Sequence, residues 1–143
     1  MLNPGFLALL SGLAAQAAKV FVEVLAGRRW RPSLFFSSGG MPSSHTATVV
    51  TLALAIGTLD GFSSPLFSLV LVFGLFVIFE ATGLRQEIGK QAEVLNDIMD
   101  SALAGEQFDQ RRLRELVGHT WAEVLGGAAF GVGFWYLWLL QRG

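Results

Sequence analysis

The sequence contains no cysteine, only two histidines and few charged residues. Without cysteine the chain can form no disulfide and no thiolate metal site, so cysteine usage does not indicate a redox compartment. Charged residues make up 15% of the 143 residues and the formal net charge is −1, which gives no reason to expect nucleic acid as a partner. The chain is instead 52% hydrophobic with twelve phenylalanines, a composition that indicates a single domain in a lipid environment.

Three long stretches carry no charge, and each is close to the length that spans the hydrocarbon of a bilayer. They are Met1–Ala18, Phe62–Phe79 and Val124–Leu140, with Thr46–Leu59 as a shorter fourth candidate. The first stretch lacks a basic start and continues as helix through Lys19 and Glu23, so we interpret it as a span and not as a signal peptide. The sequence therefore predicts an all-α, polytopic membrane protein with about four transmembrane helices and one integral-membrane domain over residues 1–143.

Turn and cap residues predict where these helices begin and end. The expected helices run from Pro4 to Ala26, from Ser44 to Leu59, from Pro65 to Gly83, and from Gly118-His119 to Leu140. Between the last two, Glu87–Leu103 has apolar residues at helical spacing opposite a charged face: Ile88, Ala92, Leu95, Met99 and Leu103. We expect this amphipathic helix to be cytoplasmic, lying along the membrane surface or covering a neighbouring helix.

Basic residues are distributed unevenly between the connections. Arg28, Arg29, Arg31, Arg85, Lys90, Arg111, Arg112 and Arg114 fall in the first and third connections. The second connection has no Lys or Arg, and the C-terminus has only Arg142. By the positive-inside rule, the first and third connections are cytoplasmic, and both termini lie outside.

A nine-residue segment joins a loop of small residues to an apolar helix: Gly39-Gly40-Met41-Pro42-Ser43-Ser44-His45-Thr46-Ala47. Pro42 suits the turn before a helix, and Ser43 or Ser44 can cap the first amides. The helix N-terminus then favours an anion such as phosphate, and His45 can exchange a proton near neutral pH. The segment predicts phosphate binding joined to acid-base chemistry. The alternative is a capped helix with an incidental histidine.

Two further positions bear on this site. Lys19 is unusual near the end of an apolar helix, although it can also be an interfacial lysine that pairs with Glu23 four residues on. In His119-Thr120-Trp121-Ala122-Glu123, the carboxylate lies one helical turn from the histidine. Glu123 can accept a hydrogen bond from one ring nitrogen and leave the other as a nucleophile. Together with His45, these residues indicate phosphate chemistry at the cytoplasmic ends of the helices.

The chain resembles the type 2 phosphatidic acid phosphatase superfamily, which includes the vanadium-dependent haloperoxidases, and more closely its small divergent bacterial and plant membrane branch. The resemblance extends over nearly the full length. Its motifs are Gly39–His45, then Glu80–Arg85 with Gln91-Ala92 and Leu95-Asn96, and finally Gly118-His119-Thr120 with Glu123-Val124.

This resemblance implies a role for each candidate site residue. His119 would be the nucleophile, Glu123 its orienting carboxylate and His45 the general acid. The residues implied to bind the substrate phosphate are Lys19, Arg28, Arg85, Ser43 and Ser44, with Arg29 as the alternative to Arg28 because the spacing after Lys19 departs from the superfamily pattern.

The implied protein is a hydrolase that acts on a lipid phosphate or an isoprenyl diphosphate and uses neither a cofactor nor a metal. It would lie in a bacterial inner membrane with its active site facing the cytoplasm. A non-catalytic membrane protein with a retained pocket for lipid phosphate is the alternative function. The bilayer and the lipid substrate are the expected partners. The Gly127-x-x-x-Gly131 spacing in the last helix can serve packing inside the bundle or between protomers, which leaves a homodimer open.

Overall fold

The computed structural model describes residues 3–25, 27, 35, 40–102 and 120–142, including side chains except at 84–87, 101 and 102. Every regular element in these ranges is a helix. They are α1 (Pro4–Leu25), α2 (Ser44–Asp60), α3 (Pro65–Phe79), a π-helical turn (Glu80–Leu84), α4 (Arg85–Ala102) and α5 (Trp121–Leu140). The predicted fold class, an all-α membrane protein, is confirmed.

Three helices of the described ranges are long and apolar enough to cross a membrane: Pro4–Leu25, the combined helix Pro65–Asp100, and Trp121–Leu140. The fourth predicted span is α2, which has 17 residues. It packs against α1, α3 and α5 and is therefore the central helix of the bundle.

Local capping chemistry sets most helix ends. Ser64 caps α3, where Pro65 occupies the first turn, and Gly61 ends α2 with a φ of 93° that favours glycine. Thr120 caps α5, so this helix begins at Trp121 and the predicted start at Gly118-His119 was too early. Thr120 and Glu123 have the spacing of a capping box, which sets the start of the helix directly after Thr120.

The amphipathic segment is helical, as predicted, but it is not a separate helix. It continues from α3 through the π-helical turn, so that Pro65–Asp100 forms one helix of 36 residues. Its buried face agrees with the predicted stripe at Ala92 but differs from it elsewhere, because Ile88 and Leu95 are exposed and Asn96 is buried. A π-helical turn adds a residue to the helical repeat and rotates the residues beyond it, which sequence periodicity alone does not reveal.

Small residues allow α2 to lie close to its neighbours. Gly12 of α1 faces Ser44 and Thr48, while Gly127 and Gly131 of α5 face Ser43 and Ala47. The Gly-x-x-x-Gly pattern of α5 therefore serves packing inside the bundle, which was one of the two uses considered from the sequence. The homodimer therefore remains a prediction, and no surface is assigned to it.

A buried cluster of hydroxyl groups joins three helices. The Thr51 Oγ1 atom of α2 lies 2.8 Å from Ser11 Oγ of α1 and 3.1 Å from the Gly131 carbonyl oxygen of α5. Both hydroxyl-bearing residues are fully buried. Polar groups inside a membrane bundle need internal partners, and this cluster supplies them where the three helices meet.

Substitution of Gly127 by alanine should destabilise the fold, because the added methyl group would overlap the Ser43 carbonyl oxygen. Overpacking of this kind costs about 1–3 kcal/mol. Gly133 is the matched control on the same helix, since a methyl group there meets nothing within 4 Å. Thermal unfolding in detergent should show a lower Tm for Gly127→Ala and an unchanged or higher Tm for Gly133→Ala. Equal Tm values for the two variants would contradict this packing.

Candidate active site

Lys19 is the most unusual residue of the bundle. It is only 2% exposed, and its Nζ atom has no hydrogen-bond partner within the described residues. The amine therefore does not bond to Glu23, so the predicted alternative of an interfacial pair with that residue is not what the structure shows. Glu123 is the carboxylate that interacts electrostatically with Lys19 across the bundle. A buried amine without a hydrogen bond among the described residues is costly, so Lys19 is a candidate for binding an anion.

The motif loop lies against the Lys19 side chain. Gly40 has a φ of 99°, and a Cβ atom at this position would lie 3.6 Å from Lys19 Cδ. Glycine is favoured here by the backbone conformation, whereas the 3.6 Å separation is an ordinary van der Waals contact. The following Met41-Pro42 peptide bond is cis, and the chain then enters α2. Lys19 and the loop that precedes α2 are therefore neighbours. This agrees with the predicted topology, which places both at the same end of the bundle.

Ser43 holds the start of α2 in place. Its hydroxyl accepts hydrogen bonds from the Thr46 backbone N–H and the Thr46 hydroxyl, at 3.3 and 3.1 Å. Its own backbone N–H donates to the Glu123 carbonyl oxygen at 3.0 Å. Of the two serines considered as caps, Ser43 is thus the one that caps α2. The same residue ties the start of α2 to the first turn of α5, while its role towards phosphate stays a prediction.

Ser44 and His45 line a groove between α1 and α2. The groove has a volume of about 420 Å³, and its lining includes Leu9, Leu13, Gln16, Ser44, His45 and Thr48. We call it the α1–α2 groove. Its walls are largely apolar, while its polar residues gather near the N-terminus of α2. Such a groove can accept an apolar chain while a polar group lies near His45.

A second groove meets the first at His45. It has a volume of about 500 Å³ and is lined by His45, Phe73, Phe76, Val77, Glu80, Ala81 and Ile88. Glu80 and Ala81 belong to the π-helical turn, which places the second sequence motif beside the histidine of the first. His45 is half-buried and lies where both grooves open. The histidine is therefore accessible from two apolar surfaces, a position suited to proton transfer with a lipid-soluble molecule.

Glu123 has a structural role that the sequence interpretation missed. The Thr120 hydroxyl accepts from the Glu123 backbone N–H at 3.3 Å, and Glu123 Oε2 accepts from the Thr120 backbone N–H at 3.2 Å. This reciprocal arrangement is a capping box, and the threonine followed three residues later by glutamate was its sequence signal. One carboxylate oxygen is thus used by the helix. Because a carboxylate can accept about four hydrogen bonds, the capping box leaves capacity for a further donor.

The structure describes five of the predicted site residues with their side chains: Lys19, Ser43, Ser44, His45 and Glu123. It brings Lys19, Ser43 and Glu123 together at the end of the bundle where α2 and α5 begin, through the hydrogen bond from Ser43 to Glu123 and the electrostatic interaction of Lys19 with Glu123. Ser44 and His45 lie in the first turn of α2 and line the α1–α2 groove, whose lining does not include Lys19 or Glu123. Three others, His119, Arg28 and Arg29, lie outside the described residues. Arg85 is the first residue of α4, and its side chain is also outside the described part of the chain.

Fold and site together define a polytopic helical membrane protein with polar residues gathered at one end of its bundle. Residues 3–134 match the model of a family described as the divergent PAP2 family, and the chain belongs to that family. It is 37% identical over 139 residues to the uncharacterized membrane protein YuiD of Bacillus subtilis (strain 168), covering 87% of this chain and 88% of that protein. No solved structure matches the chain. The family assignment confirms the resemblance noted from the sequence motifs.

Proposed function

We propose that the protein is a membrane phosphatase that hydrolyses a lipid phosphate or an isoprenyl diphosphate. The observation that carries the proposal is the buried Lys19 amine, which has no hydrogen-bond partner among the described residues, on a side chain that packs against Gly40 of the motif loop. A phosphate group would supply this amine with hydrogen-bond acceptors, and it would lie close to the N-terminus of α2. Membership of the divergent PAP2 family supports the same chemistry.

In this proposal His119 is the nucleophile. One of its ring nitrogens attacks phosphorus, the phosphorus–oxygen ester bond breaks, and its electron pair leaves with the alcohol oxygen. His45 donates the proton that this oxygen requires. Water then attacks the phosphohistidine and gives a proton to His45, which is thereby restored. The phosphorus–nitrogen bond breaks, and inorganic phosphate is released from His119. Lys19, Arg85 and either Arg28 or Arg29 neutralise the phosphoryl oxygens throughout.

Glu123 would orient His119 by accepting a hydrogen bond from the ring nitrogen that does not attack phosphorus. Its capping box with Thr120 fixes the carboxylate at the start of α5. Ser44 and the first amides of α2 would add donors to the phosphate. In such a site, fixed cations and backbone dipoles stabilise the charge that develops in the transition state, and the reaction requires no metal.

The proposed site faces the cytoplasm of a bacterial inner membrane. This orientation is supported by the positive-inside rule, because the first and third connections carry eight Lys and Arg residues (Arg28, Arg29, Arg31, Arg85, Lys90, Arg111, Arg112 and Arg114). The described helices are consistent with it, since the hydrogen bond from Ser43 to Glu123 keeps the starts of α2 and α5 at the same end of the bundle.

A non-catalytic protein that binds lipid phosphate is the second candidate. It is favoured by the structural uses of two motif residues, because Ser43 caps α2 and Glu123 completes the capping box of α5. These contacts alone would explain why such residues occupy the two positions. On this account Lys19 would bind the phosphate group of a lipid without reaction.

Assay of the purified protein against a panel of lipid phosphates and isoprenyl diphosphates separates the two candidates. With excess chelator present, we expect phosphate release from at least one member of the panel and inhibition by vanadate, which can adopt the five-coordinate geometry of the transition state. Binding of these lipids without phosphate release would instead establish the non-catalytic function. Activity that is lost with chelator and restored by magnesium would contradict the proposed mechanism.

A further inference from the structure

A second unpaired polar atom lies near Lys19 on α1. Gln16 Oε1 is buried and has no hydrogen-bond partner within the described residues, as is also the case for Lys19 Nζ. The two residues are three positions apart, so they share one face of the helix. Gln16 also lines the α1–α2 groove together with Ser44 and His45. Because buried polar groups without partners are rare in native proteins, two on one helix face indicate a ligand that pairs with both.

The two atoms require opposite kinds of partner. An ammonium group only donates hydrogen bonds, whereas an amide oxygen only accepts them. A fully ionised phosphate or diphosphate carries acceptors alone, so it can satisfy Lys19 but not Gln16 Oε1. A ligand that pairs with both atoms therefore brings a hydrogen-bond donor in addition to its phosphate group.

We infer that Gln16 recognises a free hydroxyl group on the lipid, on the carbon next to the one that bears the phosphate. This inference rests on the proposed function, because the phosphate of the same lipid pairs with Lys19. Residues three apart on a helix lie on the same face, about 4.5 Å apart along its axis, so the two side chains can reach neighbouring groups of one ligand. The terminal torsion of glutamine is soft, and its amide can turn towards the groove that the side chain lines.

The need for this hydroxyl group separates the candidate substrates into lipids that carry it and lipids that do not. A lipid phosphate with a free hydroxyl beside its phosphate ester satisfies both atoms. A diacylglycerol phosphate has an ester at that position and an isoprenyl diphosphate has no hydroxyl group, so each leaves Gln16 without a partner. Gln16 is thus a specificity-determining residue for the headgroup, and a polar atom left unpaired in the complex is the source of discrimination.

The test uses two lipids that differ by one oxygen atom, 1-oleoyl-glycerol 3-phosphate and its 2-deoxy analogue. Equilibrium binding and kcat/KM are measured for both with the full-length protein in lipid nanodiscs. We expect the natural protein to prefer the hydroxyl lipid by about tenfold, the value of one good hydrogen bond. Gln16→Met should lose about tenfold on the hydroxyl lipid and little on the deoxy lipid, so that the preference disappears. Gln16→Glu keeps an acceptor, so it should retain the preference while weakening the binding of both lipids.

Gln141→Met is the matched control, because the same side-chain change is made at an exposed residue beyond the end of α5. It should retain the preference for the hydroxyl lipid. Equal affinities of the natural protein for the two lipids would overturn the inference, as would a Gln16→Met variant that weakens both equally, or no binding of either lipid. Preferential binding that Gln16→Met removes, without hydrolysis, would support the inference and contradict the phosphatase proposal. Hydrolysis of both lipids at equal rates and with equal affinity would support the phosphatase proposal and contradict the inference about Gln16.

Discussion

Lys19→Met should abolish lipid phosphate hydrolysis while making the folded protein more stable. The Lys19 amine is buried and has no hydrogen-bond partner among the described residues, so its burial costs free energy that no hydrogen bond within them offsets. Methionine has a similar length and no charge, and its replacement of the lysine should stabilise the fold by about 1–3 kcal/mol. Loss of a cation that contacts the phosphoryl group should lower kcat/KM by about 10²–10³-fold.

The opposite directions of the two effects make this prediction specific. A lysine that only supports the fold would lose stability and activity together when it is replaced. Lys90→Met is the matched control, since Lys90 is exposed on α4 and belongs to neither groove described around His45. Thermal unfolding and phosphate release should both stay close to the values of the natural protein in this control. A destabilised Lys19→Met variant would show that the amine has a structural partner.

The two histidines should respond differently to a better leaving group. His119→Ala removes the proposed nucleophile, so activity should be lost on every substrate, by about 10⁴-fold or more. His45→Ala removes only the proton donor to the leaving oxygen, a contribution of about 10²–10⁴-fold. An aryl phosphate needs little protonation of its leaving group, so His45→Ala should retain much more activity on an aryl phosphate than on a lipid phosphate.

The measurement is kcat/KM of His45→Ala and of His119→Ala, each on the aryl phosphate and on the lipid phosphate. His45→Gln is a useful companion, because it preserves a polar side chain in the grooves while removing the titratable ring. Equal losses for His45→Ala and His119→Ala on both substrates would remove the reason for assigning different roles. If His119→Ala instead retained activity on the aryl phosphate, His119 would be the proton donor and His45 the nucleophile.

The sequence was sufficient to predict the helices and the convergence of several polar residues. Uncharged stretches and cap residues predicted α1, α2, α3 and the end of α5, because length and capping are local properties. The positive-inside rule placed Lys19 and His45 at one end, and the contact of Lys19 with the Gly40 region agrees with that placement.

Three features of the structure were not predicted from the sequence. The π-helical turn joins α3 to α4, and no residue spacing distinguished it from an ordinary helix end. Gln16 was missed because a single glutamine in an apolar helix carries no motif; only its burial without a partner made it a candidate. The capping role of Glu123 is local and could have been predicted from the spacing Thr120-x-x-Glu123.

The central claim is that phosphate is transferred to His119, and trapping of the covalent intermediate tests it most directly. The protein is mixed with a phosphate-labelled lipid in excess chelator and quenched rapidly in alkali, where phosphohistidine persists. We expect label on His119 that is stable to alkali and released by acid, and no label in His119→Ala. Turnover of the lipid with no label trapped on the natural protein, or label that persists in His119→Ala, would contradict the account.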